Sequence, residues 1–244
     1  MQTDEKLIYA IKFSKTGNLK YISHLDLMRL FQRAFKRAGM QLEHSKGFNP
    51  HPKMSFAQPL SLGFESVGEY LEFELTENLS SETIRSGLSS MLPTGISILH
   101  CGKIKSQKKP MAAQVWMAAY DICADLDAIP EKNLLEKELA AFQDQEEISV
   151  EKRKKKTKKL ESIDIKQFIA GFELKREHFA EDYIMLTCLV RTGSEANLNP
   201  DVLMEAFLTY AQIEKKPEQF RICRKELFFQ TDKGESKPLK ELIS

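Results

Sequence analysis

Apolar residues along the chain fall into short blocks that show two periods. Residues 7–13 are apolar and β-branched and are closed by Thr16-Gly17-Asn18, which predicts a strand ending in a turn. Over residues 23–38 the apolar positions Leu27, Met28, Phe31, Ala34, Phe35 and Ala38 follow the three–four spacing of a helix with one buried face, and Gly39 ends it. Residues 40–44 predict a short strand and residues 45–52 a loop. Residues 53–57 and 69–76 predict two strands of one hairpin with a long connection. In the second strand Tyr70, Glu72 and Glu74 alternate with Leu71, Phe73 and Leu75, the period of a sheet with one buried and one wet face. Residues 80–91 predict a helix capped by Ser80 or Ser81, and residues 96–104 a strand.

The order β-α-β-β-α-β is that of the ferredoxin-like split βαβ arrangement, in which both helices cover one sheet face. Past a basic stretch at 105–114 the order returns: strand 115–124, helix 131–142, a basic hairpin over 148–155 and 159–164, strands 168–174 and 183–191, a helix over 200–212 with Pro200 at its first position, and strand 220–229. The fold class is therefore α+β, two ferredoxin-like halves in tandem. The expected boundaries are 1–104 and 115–230, with a linker at 105–114 and a loose tail at 231–244.

Composition excludes several classes. The 244 residues carry a net charge of +1, so nucleic-acid affinity must come from local patches. No apolar run is long enough to span a bilayer, and the start of the chain does not read as a signal peptide, so no membrane partner is expected. Cys101, Cys123, Cys188 and Cys223 are too far apart for a zinc knuckle, a redox dithiol or an iron–sulfur motif. Cys123 and Cys188 lie in apolar runs and read as buried thiols, which suits a reducing, cytoplasmic setting. No cofactor and no metal site is read; the spacing of His24, His44 and His51 does not require one.

Charge is segregated, however. Residues 1–60 hold ten Lys or Arg against four Asp or Glu, a net of +6. Arg29, Arg33 and Arg37 recur every four residues and form one stripe on the predicted helix, either a solvated face or a ridge whose guanidinium forks suit phosphate oxygens. Ser23 and Asp26 form a capping-box pattern at its start. His24 and Asp26 are alternatively an acid–base pair bordering a site, and with His51 they are the catalytic candidates. The loop Ser45-Lys46-Gly47-Phe48-Asn49-Pro50-His51-Pro52 is stiffened by two prolines, which fixes Ser45, Asn49 and His51 as candidate recognition residues. The plain alternative is a rigid connector with Phe48 filling the core. The run Lys152, Arg153, Lys154, Lys155, Lys156, Thr157, Lys158, Lys159 is either a solvated hairpin tip or a contact to a nucleic-acid backbone.

The stretch from Tyr21 to Glu69 resembles the N-terminal signature of a family of radical-SAM-associated bacterial proteins of unknown function. The matching elements are Ser23-His24-Leu25-Asp26, Arg29, Arg33, Ala38-Gly39, Ser45, Gly47-Phe48-Asn49-Pro50-His51-Pro52, Ser55-Phe56, Gly63, Ser66 and Glu69. The resemblance implies a radical SAM protein as partner and an RNA-related setting, and it supplies no reaction and no catalytic residues. Without clustered cysteines the chain is not itself the radical enzyme. A second similarity is to the tandem ferredoxin-like RNA-binding and RNA-cleaving proteins of CRISPR systems. Those carry a glycine-rich loop late in the chain, where residues 105–244 here have only Gly171, Gly193 and Gly234. The expected function is an accessory protein that binds or presents tRNA or rRNA to a radical SAM enzyme, without catalysis of its own. The alternatives are an RNA-processing enzyme and a pure protein–protein adaptor.

Overall fold

The computed structural model describes residues 6–105, 109–126, 130–153, 160–175, 183–214 and 220–244. The chain is α+β and divides into two compact units. One comprises residues 1–116 and 224–244, the other residues 117–223. The chain thus passes from the first unit to the second inside one strand and returns inside another.

In the first unit the predicted β-α-β-β-α-β order is present as β1 (Ile8–Lys15), α1 (His24–Arg37), β2 (Met54–Phe56), β3 (Glu65–Glu74), α2 (Ser81–Ser89) and β4 (Ile96–Lys103). Strand β1 lies antiparallel between β3 and β4, and β2 pairs the far end of β3, Phe56 opposite Leu71. This is the ferredoxin-like order. Residues 40–44, expected as a strand, make only two bridges, Leu42 to Leu75 and His44 to Pro52. One face of α1 enters the core through Leu27, Phe31, Ala34 and Phe35, where Phe31 meets Phe13 edge-on at 4.9 Å and Phe35 meets Phe73 at 4.7 Å. Ile84 and Leu88 of α2 join the same core.

The opposite sheet face is covered, contrary to the wet face that alternation in β3 predicts. Tyr70 is buried and donates to Glu226 Oε1 at 2.6 Å, while Glu72 accepts from the Met111 N–H at 2.8 Å. Met111 and Leu239 are themselves fully buried. Residues 231–244, expected to be loose, carry strand β11 (Ser236–Pro238) and a short 3₁₀ turn. Their apolar anchors Leu239 and Ile243 are buried, and Ile243 bridges Ile104. Burial of these side chains acts together with pairing of β11 on residues 228–230 and the backbone bonds from the Lys105 N–H to Leu242 O and from the Ser244 N–H to Lys103 O.

The second unit repeats the pattern with β5 (Val115–Asp125), α3 (Lys132–Asp144), β6 (Ser149–Arg153), β7 (Leu160–Asp164), β8 (Ile169–Leu174), β9 (Tyr183–Arg191), α4 (Pro200–Tyr210) and the start of β10 (Arg221–Gln230). Strand β9 lies antiparallel between β5 and β8, and β6 and β7 form a separate hairpin. Ile184, Leu186, Cys188 and Val190 alternate inward along β9. Phe207 of α4 packs on Phe142 of α3 at 5.5 Å and on Phe172 of β8 at 5.7 Å. Burial pushes the Cys188 thiol up to about 12 and the Cys101 thiol up to about 11, so neither is a thiolate near neutrality. Among the described residues no helix is long and apolar enough to cross a membrane.

Candidate nucleic-acid interface

Helix α1 is capped as its sequence predicts. Ser23 Oγ accepts from the Asp26 N–H at 3.1 Å and donates to Asp26 Oδ2 at 2.7 Å, and Arg29 reaches Asp26 Oδ1 at 3.3 Å. The Ser23 hydroxyl, helped by Arg29 and Arg33, holds the Asp26 carboxyl below the usual carboxylate range. Asp26 is therefore ionised and has both oxygens engaged. His24 does not bond to it; its ring packs edge-on against Phe56 at 5.2 Å. The structure thus gives both residues structural contacts rather than the geometry of an acid–base pair.

Arg29, Arg33 and Arg37 all lie on the solvent side of α1 and all are exposed, as is Lys36. The helical period puts them opposite Leu27, Phe31 and Phe35. Apart from the Asp26–Arg29 contact, whose partners are both more than half exposed, no ion pair joins these cations to a described residue. An exposed pair at i,i+3 is worth only a few tenths of a kcal/mol, about 0.2–0.5, so Arg29 can release Asp26 at little cost. The stripe is a row of guanidinium groups free to meet phosphate oxygens.

The loop over residues 45–51 is closed at its base. The Ser45 N–H donates to the His51 carbonyl at 2.9 Å, and the His51 N–H donates to Ser45 Oγ at 3.1 Å. His51 Nδ1 sits 3.0 Å from Ser45 Oγ and 3.3 Å from the Asn49 carbonyl. Phe48 at the tip is fully exposed, not the core plug that a plain connector would supply. Ser45, Asn49 and His51 are thus brought together. Among the described residues no bond ties them to the arginine stripe, which is a separate group on the same unit.

The most deeply buried polar cluster was not legible as a site. Arg224 Nε donates to Glu69 Oε1 at 2.8 Å and Nη2 to Oε2 at 2.6 Å, while Nη2 and Nη1 also reach the carbonyls of Gln58 at 2.8 Å and Pro59 at 3.3 Å. Lys15, also buried, points Nζ at the carbonyls of Lys20 and Ile22. Burial lowers its pKa; Glu69 opposes that shift and Arg224 adds to it. The Gly63 N–H donates to Lys20 O at 2.9 Å, and Gly63 adopts φ +86°, a region that favours glycine. Ser66 Oγ links the Gly68 N–H to the Arg224 carbonyl. Gly63, and Glu69 through Arg224, therefore hold the two loops that precede α1 and β3, while Ser66 ties β3 to β10, a framework role. The signal for it was one acidic residue facing inward on a strand; its partner lies 155 positions away.

Of the basic run, residues 154–159 and the side chains of Lys152 and Arg153 lie outside the described residues. Among the described residues no group of three His, Cys, Asp or Glu is placed to hold a metal ion.

The fold and this surface define a tandem ferredoxin-like α+β protein with a basic helix face on its first half. Residues 9–200 match a family described as an uncharacterized protein conserved in bacteria (DUF2344), and the chain belongs to that family. No curated protein matches it. Among solved structures, it is similar to a chain of a Cbf5–Nop10–Gar1 complex, at 10% identity and a TM-score of 0.49 over 90% of this chain and 48% of that one. It is also similar to a chain of an H/ACA RNP bound to a substrate RNA, at 10% identity and a TM-score of 0.46 over 88% of this chain and 46% of that one. The chain spans less than half the length of these structural relatives.

Proposed function

We propose that this protein is an accessory binding protein that presents RNA, a tRNA or rRNA, to a radical SAM enzyme. The observation that carries the reading is the exposed stripe Arg29, Arg33, Arg37, in a stretch where Asp26 and Glu43 are the only acids between Lys6 and Glu65. Arginine forks at one-turn spacing match backbone phosphates and give affinity without reading bases. Ser45, Asn49 and His51 supply polar groups for recognition, and residues 152–159 add backbone contacts. The radical SAM partner rests on the resemblance of residues 21–69 to radical-SAM-associated proteins. With Asp26 engaged and His24 packed edge-on against Phe56, turnover is assigned to that partner.

A second reading, a pure protein adaptor, is favoured by the exposed apolar side chains Tyr21, Leu25 and Leu62. Tyr21 and Leu62 sit on loops joined by the Gly63–Lys20 hydrogen bond. A pull-down from native lysate at low salt, with and without nuclease, separates the two. Co-purification of a defined RNA that is lost in Arg29→Ala/Arg33→Ala is the expected result. Retention of a radical SAM protein alone, indifferent to nuclease, replaces it with the adaptor.

A further inference from the structure

We propose that Phe48 is a stacking platform for one unpaired nucleobase, so that the ligand of the 45–51 loop is single-stranded rather than duplex RNA. This rests on the RNA-binding reading above and adds the class of RNA. Among the described residues Phe48 is the most exposed of the large apolar side chains, at 112% of the reference accessibility. Covering such a ring on binding is favourable.

The loop presents the ring by design of its base. Ser45 and His51 exchange a backbone and a side-chain hydrogen bond, His44 bridges Pro52, and the Lys53 N–H donates to the Glu43 carbonyl at 2.7 Å. Pro50 and Pro52 remove further freedom. Gly47 turns the chain at φ +139°, a value that side chains other than glycine rarely adopt, and this turn immediately precedes the ring. The tip is thus held out from the fold with little conformational entropy left to lose on binding.

What surrounds the ring selects the ligand. Lys46, Asn49 and His51 are exposed beside it in sequence, no acid lies between Glu43 and Glu65, and no other large apolar side chain is in the loop. The loop itself offers no second large apolar side chain to widen a protein contact. An aromatic face with a neighbouring cation and polar groups is the arrangement that takes a base by stacking and its phosphate by charge. Bases in a duplex are already stacked, whereas those in loops and ends are available.

The test uses the full chain with two RNAs, a 12-nucleotide single strand carrying a central 2-aminopurine and a blunt duplex of the same length. Quenching of 2-aminopurine on binding is expected for the wild type. Phe48→Ala should lose the quenching and bind the single strand about tenfold more weakly, the stacking of one base, with duplex affinity and salt dependence unchanged. Phe48→Trp should restore affinity. Because the ring touches no core residue, Phe48→Ala is expected to fold, and a circular dichroism melt checks this. Wild-type affinity and quenching in Phe48→Ala overturn the inference. So does an equal loss for single strand and duplex, or a loss of radical SAM protein capture with RNA binding intact, which makes the ring a protein contact. If Arg29→Ala/Arg33→Ala abolishes binding while Phe48→Ala keeps wild-type affinity and quenching, the stacking role fails and the phosphate-binding stripe stands. If the wild type binds neither RNA at low salt, both fail.

Discussion

Removing the carboxylate of Glu69 takes the bidentate partner from a buried guanidinium. Its side chain and that of Arg224 are 3% and 1% exposed, and the two make a bidentate pair at 2.6 and 2.8 Å. Glu69→Ala takes both acceptors from the guanidinium fork and leaves it the carbonyls of Gln58 and Pro59. Lys15 loses its opposing charge at the same moment. Breaking a buried pair from one side costs about 3–5 kcal/mol, a large part of the roughly 5–15 kcal/mol that stabilises a typical domain. At about 3–4 °C per kcal/mol, the melting transition of the first unit should fall by roughly 10–20 °C. The loops at residues 17–22 and 58–63 should lose hydrogen-exchange protection first, since Arg224 and Lys15 hold their carbonyls. Glu69→Leu/Arg224→Met removes both charges and should recover most of the loss, to within about 2 kcal/mol of wild type. Thermal melts by circular dichroism read all three proteins. A Glu69→Ala melt within 3 °C of wild type (roughly 1 kcal/mol), or a double variant as unstable as the single, would refute the reasoning.

Further outcomes follow from the same geometry. Because burial lowers the Lys15 pKa, the unfolded chain binds more protons than the folded one between that lowered value and the ordinary value of about 10.4. Stability from this group therefore rises with pH across that window, and the penalty is full below it. The stability of Lys15→Met relative to wild type should be most favourable at neutral pH and become less so as pH climbs toward about 10.4, read by urea unfolding; a pH-independent difference contradicts this. Gly68→Ala places a Cβ 2.5 Å from the Lys225 carbonyl oxygen and 2.8 Å from Glu226 Cα, both backbone, so β3 and β10 must shift, at about 1–3 kcal/mol in urea midpoint terms. Ser23→Ala removes the α1 cap and should cost about 1 kcal/mol, with amide exchange at residues 24–27 rising; unchanged exchange would show the cap is redundant.

Much of this was readable in the chain because the responsible contacts are local. The three–four spacing of Leu27, Phe31, Ala34 and Phe35 and the Ser23-x-x-Asp26 cap place α1 within one residue of its observed ends. The apolar run over residues 183–191, read as a strand, has the observed bounds of β9. What could not be read depends on partners far away in sequence. Alternation in β3 made Tyr70 a wet residue; it is buried because Glu226 and the segments holding Met111 and Leu239 cover that face. Arg224 looked like one cation among many in a last strand, and only the fold brings it to Glu69. In the candidate site the arginine stripe was legible as a period of four, but its exposure was not, since period gives one face and not what lies against it. For Phe48 the local sequence leaves two readings open, a core plug and a recognition loop, and the structure exposes the ring. Phenylalanine is usually buried, and nothing local shows that Ser45 and His51 close the loop beneath it.

The central claim is that α1 holds RNA by its phosphates. Its most direct test is a salt titration of RNA affinity for the wild type and for Arg29→Ala/Arg33→Ala/Arg37→Ala. Each phosphate contact to a single strand contributes about 0.7 to the slope of log affinity against log salt, so losing three should flatten the slope by roughly 2 and weaken binding uniformly across sequences. Equal slopes and affinities for the two proteins would contradict the account and return the stripe to a solvated helix face.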